Sequence, residues 1–198
     1  MKLELEAIVK ELDSRETLSA LLPKQIWSAS LEARIDALEW NGRDDETAVI
    51  ALMAGLHLRN DSLDASHSYA QQIEHDATGA YWHGIMHRME GDFFNSKYWF
   101  RQAGRHPAME RTRLLVADWL DREPETELSG LDSYAQGILA SFRSESGWDP
   151  SRFVDLIVWQ EKQGAAGTAR PLLEKIQRIE IQTLFAYTLE KAQPYLTE

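Results

Sequence analysis

Apolar residues recur at helical spacing along almost the whole chain, and this periodicity limits the fold more than any other feature. One stripe, at i, i+4, i+8 and i+11, consists of Trp27, Leu31, Ile35 and Leu38. No segment alternates apolar and polar residues between turn signals, as a half-buried strand does. The sequence therefore predicts an all-α fold, an irregular helical bundle, in a single domain over residues 1–198.

Polar caps, glycines and prolines divide this pattern into separate helices. One predicted helix is capped by Asp44 or Asp45 and ends near Arg59, and Thr78 is the predicted cap of another. Gly104 is expected to close a helix in a left-handed conformation, and Pro107 to open the next one. The predicted helices after Arg59 cover residues 63–74, 80–90, 93–103, 107–120, 131–142, 150–163 and 171–191. A loop over residues 122–130 and a break over residues 164–167 are also predicted.

Composition excludes several classes of protein. The chain has no cysteine, which rules out disulfides, cysteine-based zinc sites and thiol nucleophiles. Its net charge of −11 disfavours nucleic acid and anionic membrane surfaces as partners. No apolar run is long enough to span a bilayer, and the first residues lack the apolar stretch of a signal peptide. We therefore expect a cytoplasmic protein with no membrane contact.

Two segments in the middle of the chain, residues 56–72 and 87–103, align at an offset of 31 residues. The aligned pairs are Asn60-Asp61 with Gly91-Asp92, Ala65 with Ser96, and Tyr69 with Phe100. Each segment predicts a helix, a tight turn and a second helix. The spacing of Gly84, Gly91-Asp92, Ser96, Phe100 and Ala103 resembles the tetratricopeptide pattern, which implies a repeat-like core over about residues 44–121.

A longer motif lies in the same region. Tyr81-Trp82-His83-x-Ile85-x-His87-Arg88-x-Glu90-Gly91-Asp92 is followed by Asn95-x-x-Tyr98-Trp99-Phe100-Arg101, and Asp64-x-Ser66-His67 precedes it. This string resembles the signature of a family of small bacterial and fungal proteins. The resemblance implies no activity. It implies that residues 61–107 are the family's defining region.

His83 and His87 stand at i, i+4, so the two imidazoles share a helix face, and Glu90 follows one turn later. Two histidines and a carboxylate are a known metal-ligand group, so a divalent metal at His83, His87 and Glu90 is one interpretation, with His67 or Asp92 as a distant ligand. No glutamate follows His83 directly, which excludes a HExxH metalloprotease. The alternative is a buried network of neutral imidazoles with no metal.

Basic residues and aromatic residues are concentrated in the same stretch. Residues 81–113 carry six lysines and arginines against three acidic residues, although the chain as a whole is acidic. Such an island is a candidate site for an anionic group. The candidate ligand-binding residues are His67, Tyr81, Trp82, His83, His87, Arg88, Glu90, Tyr98, Trp99 and Arg101.

Two functions from different classes follow. The first is a helical-repeat-like binding or scaffold protein without a cofactor, which recognises a protein, a peptide or a small anionic ligand near residues 81–107. The second is a metal-binding protein or a metal-dependent enzyme that uses His83, His87 and Glu90. The sequence does not decide whether the chain is an enzyme, and it leaves a homodimer open.

Overall fold

The structure of the protein, a computed structural model, describes residues 1–123, 130–143, 148–163 and 169–196. These residues form ten α-helices and two short 3₁₀ turns, and they include no strand. The predicted all-α fold is confirmed. No helix within the described ranges combines the length and the apolarity needed to cross a bilayer.

The helices follow one another with short connections. They are α1 (Lys2–Asp13), α2 (Ala29–Asp36), α3 (Thr47–Arg59), α4 (Leu63–Ala70), α5 (Ala77–Glu90), α6 (Phe93–Ala103), α7 (Pro107–Arg122), α8 (Ser133–Phe142), α9 (Pro150–Gln163) and α10 (Arg170–Ala192). The 3₁₀ turn Gln71–Ile73 extends α4, and Gln193–Tyr195 extends α10. The predicted break over residues 164–167 and most of the predicted loop over residues 122–130 lie outside the described residues.

Two of the predicted caps are wrong. The Asp76 carboxylate caps α5, because it accepts hydrogen bonds from the amides of Thr78 at 2.8 Å and Gly79 at 3.2 Å. This helix therefore begins at Ala77, before the predicted cap Thr78. Glu46, not Asp44 or Asp45, precedes α3, and its side chain makes no capping hydrogen bond.

The predicted boundaries on either side of α6 agree more closely with the structure. Asp92 caps the helix by accepting from the amide of Asn95 at 3.0 Å. Gly104 ends it with a φ of 60°, but its ψ of −138° lies outside the predicted left-handed helical region. Pro107 opens α7, as predicted, and the His106 side chain caps that helix.

The pairs α3–α4 and α5–α6 form two helical hairpins, and they repeat at an offset of 30 residues, one less than predicted. The second helices open at Leu63 and Phe93. Asp61 and Gly91 hold the left-handed positions of the two turns, with φ of 59° and 95°. Residues 63–70 and 93–100 also share one pattern of buried and exposed positions. The hairpin is therefore repeated, whereas the resemblance to tetratricopeptide repeats stays a prediction.

The helices enclose two apolar cores. The first is centred on Leu52, Trp82 and Phe185 and joins α1 to α6 with the end of α10. The second is centred on Phe153 and Leu173 and joins α7, α8, α9 and the start of α10. Because α10 belongs to both cores, it connects the two hairpins to the C-terminal helices.

Candidate functional site

Three histidine side chains lie together between the two hairpins. His67 comes from α4, and His83 and His87 come from adjacent turns of α5. The ring centroids are 4.8 Å apart for His67 and His83, 5.3 Å for His67 and His87, and 4.7 Å for His83 and His87. One nitrogen of each ring lies within 4.8 Å of a nitrogen of the other two. We call these residues the histidine cluster.

The hairpins explain why these rings meet. His83 and His87 face the same way because they are one helical turn apart. On α4, Ser66 and Ala70 are buried and fix the inner face of that helix, which leaves the half-buried His67 at its edge beside α5. The sequence predicted the shared face of His83 and His87. His67 was predicted only as a distant ligand, but in the structure its ring lies within 5.3 Å of both other rings.

His83 is the most confined member of the cluster. His83 is only 3% exposed, and neither ring nitrogen has a hydrogen-bond partner in the part of the chain that the structure describes. Burial, reinforced by the neighbouring His87 and His67, lowers the pKa of His83 to about 3. The ring is therefore neutral at physiological pH, and one of its nitrogens has a free lone pair.

His87 is oriented by a carboxylate. Its Nδ1 lies 2.5 Å from Oε1 of Glu90, one turn along α5. An ionised carboxylate only accepts hydrogen bonds, so in the neutral form of the ring this contact places the proton on Nδ1 and the lone pair on Nε2. Metal-binding histidines are commonly oriented by a carboxylate in this way. Glu90, predicted as a direct ligand, thus supports His87 in this arrangement, and one oxygen each of Glu90 and of Asp92, the predicted distant ligand, also lies within 4.8 Å of a nitrogen of His87.

Aromatic side chains of α6 cover the cluster. The indole of Trp99 stacks on the imidazole of His83 with centroids 4.1 Å apart and planes 15° apart. Tyr98 meets the edge of Trp99 at 5.1 Å and is 42% exposed. The cluster is thus closed on the α6 side, while the half-buried His67 lies nearer the surface.

Several other predicted site residues lie in the protein core and not at the histidine cluster. Tyr81, Trp82 and Arg88 are fully buried. The Tyr81 hydroxyl donates to Glu180 at 2.9 Å, and the Trp82 indole donates to Thr188 at 3.1 Å. Burial raises the pKa of Tyr81 well above its ordinary value, so the phenol stays protonated.

Arg88 and Arg101 belong to the basic stretch over residues 81–113 that was predicted to bind an anionic group, but they do not lie together. Arg88 lies 2.6 Å from the Glu180 carboxylate inside the protein. Arg101 and Arg105 are exposed, whereas His106 is buried as the cap of α7. The structure therefore does not bring Arg88 together with Arg101.

His57, which no sequence pattern singled out, also has carboxylate neighbours. Nδ1 of the buried His57 lies 3.0 Å from Glu32, and its Nε2 lies 3.6 Å from Asp36. Glu32 also accepts hydrogen bonds from Ser62 at 2.6 Å and from Asn60 at 2.8 Å. This network ties α2 to the α3–α4 turn. No local spacing reveals it, because its members come from distant parts of the chain.

The fold and the site define the class of protein: an all-α bundle with a histidine cluster between two repeated hairpins. Comparison with family models, with curated proteins and with solved structures finds no match for the chain. The resemblance to a family of small bacterial and fungal proteins thus stays a prediction, and the geometry alone supports a function.

Proposed function

We propose that the protein binds a divalent transition metal, with zinc as the first choice, through His67, His83 and His87. A single observation carries this proposal. Three imidazole nitrogens lie within 4.8 Å of one another, and the most buried of these rings, that of His83, has no hydrogen-bond partner at either nitrogen among the described residues.

A metal explains a feature that would otherwise be costly. A buried polar atom without a partner costs about 1–3 kcal/mol, and His83 has two such atoms. A bound cation satisfies one of them with a coordination bond. Neutral imidazole is the ligand that zinc, copper, nickel and iron accept readily, whereas calcium and magnesium select oxygen ligands.

A set of three histidines also defines what the metal would do. Closed structural zinc sites use four protein ligands, whereas catalytic zinc sites keep one position for water or substrate. Within the described ranges the cluster offers three histidines, and Glu90 is engaged with His87. The arrangement is therefore of the open kind, and a bound metal would supply Lewis-acid chemistry there.

Metal analysis of the purified protein tests this proposal. After zinc loading and dialysis, we expect about one zinc per chain in the wild type, as a three-ligand site requires. His67→Ala, His83→Ala and His87→Ala should each retain less than about a tenth of that amount under the same dialysis. His75→Ala is the matched control, because His75 is 97% exposed and lies outside the cluster.

Glu90→Gln separates metal binding from folding. The substitution leaves the three histidines in place but removes the charge that orients His87. Zinc affinity should then fall about 10–100-fold while the circular dichroism spectrum stays unchanged. Wild-type protein that retains no metal, or variants that retain as much as the wild type, would refute the proposal.

A second candidate function is peptide recognition on the outer face of α6. Phe94 is 84% exposed and Tyr98 is 42% exposed, and they stand at i, i+4 on one face. Exposed neighbouring aromatic side chains are typical of recognition surfaces. A peptide selected from a library against the wild type should lose binding to Phe94→Ser and Tyr98→Ser. Equal binding to these variants would exclude this face.

A further inference from the structure

Three arginines line a cleft between the end of α1, the end of α3 and the middle of α10. They are Arg15, Arg59 and Arg178. The cleft has a volume of about 50 Å³, and none of its lining residues belongs to the histidine cluster. We infer that this arginine cleft binds a small monocarboxylate.

The charges around the cleft do not cancel. Arg15 pairs with Asp61 at 2.7 Å, and Arg59 pairs with Asp13 at 2.5 Å. Arg178 has no carboxylate within ion-pair distance among the described residues. Its guanidinium makes one long hydrogen bond, 3.4 Å, to the main-chain oxygen of Asp13. Among the described residues, two of the three arginines therefore have a carboxylate partner, and one positive charge is left without one.

The positive charge of Arg178 also acts on Arg59. Burial lowers the pKa of Arg59, Asp13 counteracts this effect, and the positive charge of Arg178 lowers the pKa further. Two guanidinium groups therefore lie near enough to repel each other. An anion between them would replace this repulsion by two attractions, and guanidinium groups hold carboxylates through paired N–H donors.

The walls and the volume of the cleft limit which anions can bind there. Leu12, Leu58 and Ile181 supply an apolar wall. About 50 Å³ is room for a few water-sized groups, since one water needs roughly 10–15 Å³ by this measure. A short alkyl chain with one carboxylate fits the wall, the volume and the one positive charge left without a partner. A phosphate group carries about −1.5 to −2 charges at neutral pH and exceeds that charge.

Titration calorimetry at low ionic strength tests this inference with propionate, acetate and inorganic phosphate. We expect saturable propionate binding, with acetate weaker because it buries less apolar surface. Arg178→Gln should weaken propionate binding at least about tenfold, since it removes a charge-assisted hydrogen-bond donor. Arg178 is only half-buried, so this substitution preserves the fold, and the melting temperature checks that it does.

Two further variants sharpen the result. Arg178→Lys keeps the positive charge and should bind propionate more tightly than Arg178→Gln. Arg152→Gln is the matched control, because Arg152 is an exposed arginine on α9 that does not line the cleft. It should bind propionate as the wild type does.

Three outcomes would overturn the inference. Absence of saturable binding by the wild type would exclude the site. Unchanged propionate affinity in Arg178→Gln would show that binding occurs elsewhere. Phosphate binding more tightly than propionate would show that the anion is not a monocarboxylate. None of these outcomes bears on zinc retention, so the two proposals fail separately.

Discussion

The side chain of His106 makes two hydrogen bonds at the start of α7. Its Nδ1 accepts a hydrogen bond from the amide of Ala108 at 3.1 Å and caps α7. The proton therefore sits on Nε2, which donates to the Thr78 hydroxyl at 3.2 Å. The capping contact needs a neutral ring, because a protonated Nδ1 cannot accept, and burial lowers the pKa of His106 to about 4, against a smaller opposing effect of Asp76.

This environment makes stability depend on pH. The pKa of His106 rises from about 4 in the folded protein to about 6.5 on unfolding, so the unfolded chain binds the proton more readily. The neutral ring thus contributes its full stabilisation above about pH 6.5, and this is lost as the pH falls toward 4. The whole effect is about 3 kcal/mol, of which about 2 kcal/mol is lost by about pH 5.

Urea unfolding at about pH 7.5 and about pH 5 measures this loss. His106→Asn keeps a capping side chain but does not titrate in this range. We expect the wild type to lose about 2 kcal/mol more than the variant between the two pH values. The buried His83 titrates in both proteins, so it cancels in the comparison. Equal pH dependence in the two proteins would contradict this role of His106.

The hairpin α5–α6 depends on one glycine. A Cβ on Gly84 would lie 2.5 Å from Cδ1 and 2.6 Å from Cε1 of Phe100. The main-chain oxygen of Gly84 also accepts a hydrogen bond from the Ser96 hydroxyl at 2.7 Å. The helices therefore touch at this point, and the closeness of α6 holds Trp99 against His83.

Gly84→Ala should lower the free energy of unfolding by about 1–3 kcal/mol, because the methyl group must displace the Phe100 ring. Gly137→Ala is the matched control, since nothing lies within 4 Å of the added Cβ in the exposed middle of α8. That substitution should stabilise the protein by up to about 1 kcal/mol. Chemical denaturation measures both, and a Gly84→Ala variant as stable as Gly137→Ala would show that the helices are not in contact.

The sequence predicted the helices well because their signals are local. Polar caps, Pro107 and apolar spacing lie within a few residues of the boundaries that they set. The predicted offset between the two hairpins was one residue too long, because the turn Asn60-Asp61 was aligned with the turn Gly91-Asp92. In the structure Asp61 itself adopts the left-handed conformation of Gly91, which aspartate tolerates.

The two apolar cores meet at a buried ion pair. The Arg88 guanidinium lies 2.6 Å from Glu180 and 4.7 Å from the centroid of the Phe153 ring. Glu180 also accepts hydrogen bonds from Tyr81 at 2.9 Å and from the indole of Trp148 at 2.8 Å. One carboxylate on α10 therefore connects α5 with the segment before α9.

Removing only the cation should be costly. Arg88→Met leaves the Glu180 charge buried without its partner, and we expect a loss of about 3–5 kcal/mol in the free energy of unfolding. The double variant Arg88→Met with Glu180→Gln should recover most of that loss, because the amide oxygen still accepts from Tyr81 and Trp148. Urea denaturation of the variants measures both. A double variant no more stable than Arg88→Met would show that the unpaired charge is not the cause.

The features that the sequence did not predict share one physical cause. Arg88, Tyr81 and Trp82 were candidate ligand-binding residues, yet their partners Glu180 and Thr188 lie about 100 residues away in the chain. The arginine cleft likewise combines three distant helices. Such partners are set by the packing of α10, which no local pattern encodes. The pair His83 and His87 was predictable because helical geometry alone places the two rings together.

Three imidazoles are proposed to hold one metal, and their number around the metal can be measured. X-ray absorption at the zinc edge of the zinc-loaded protein gives this number, because imidazole rings give a distinctive scattering pattern. We expect three imidazole nitrogens at about 2.0–2.1 Å from the zinc, falling to two in His67→Ala if that variant is loaded at high zinc. A zinc surrounded only by oxygen atoms, or by the same number of imidazoles in both proteins, would contradict the proposal.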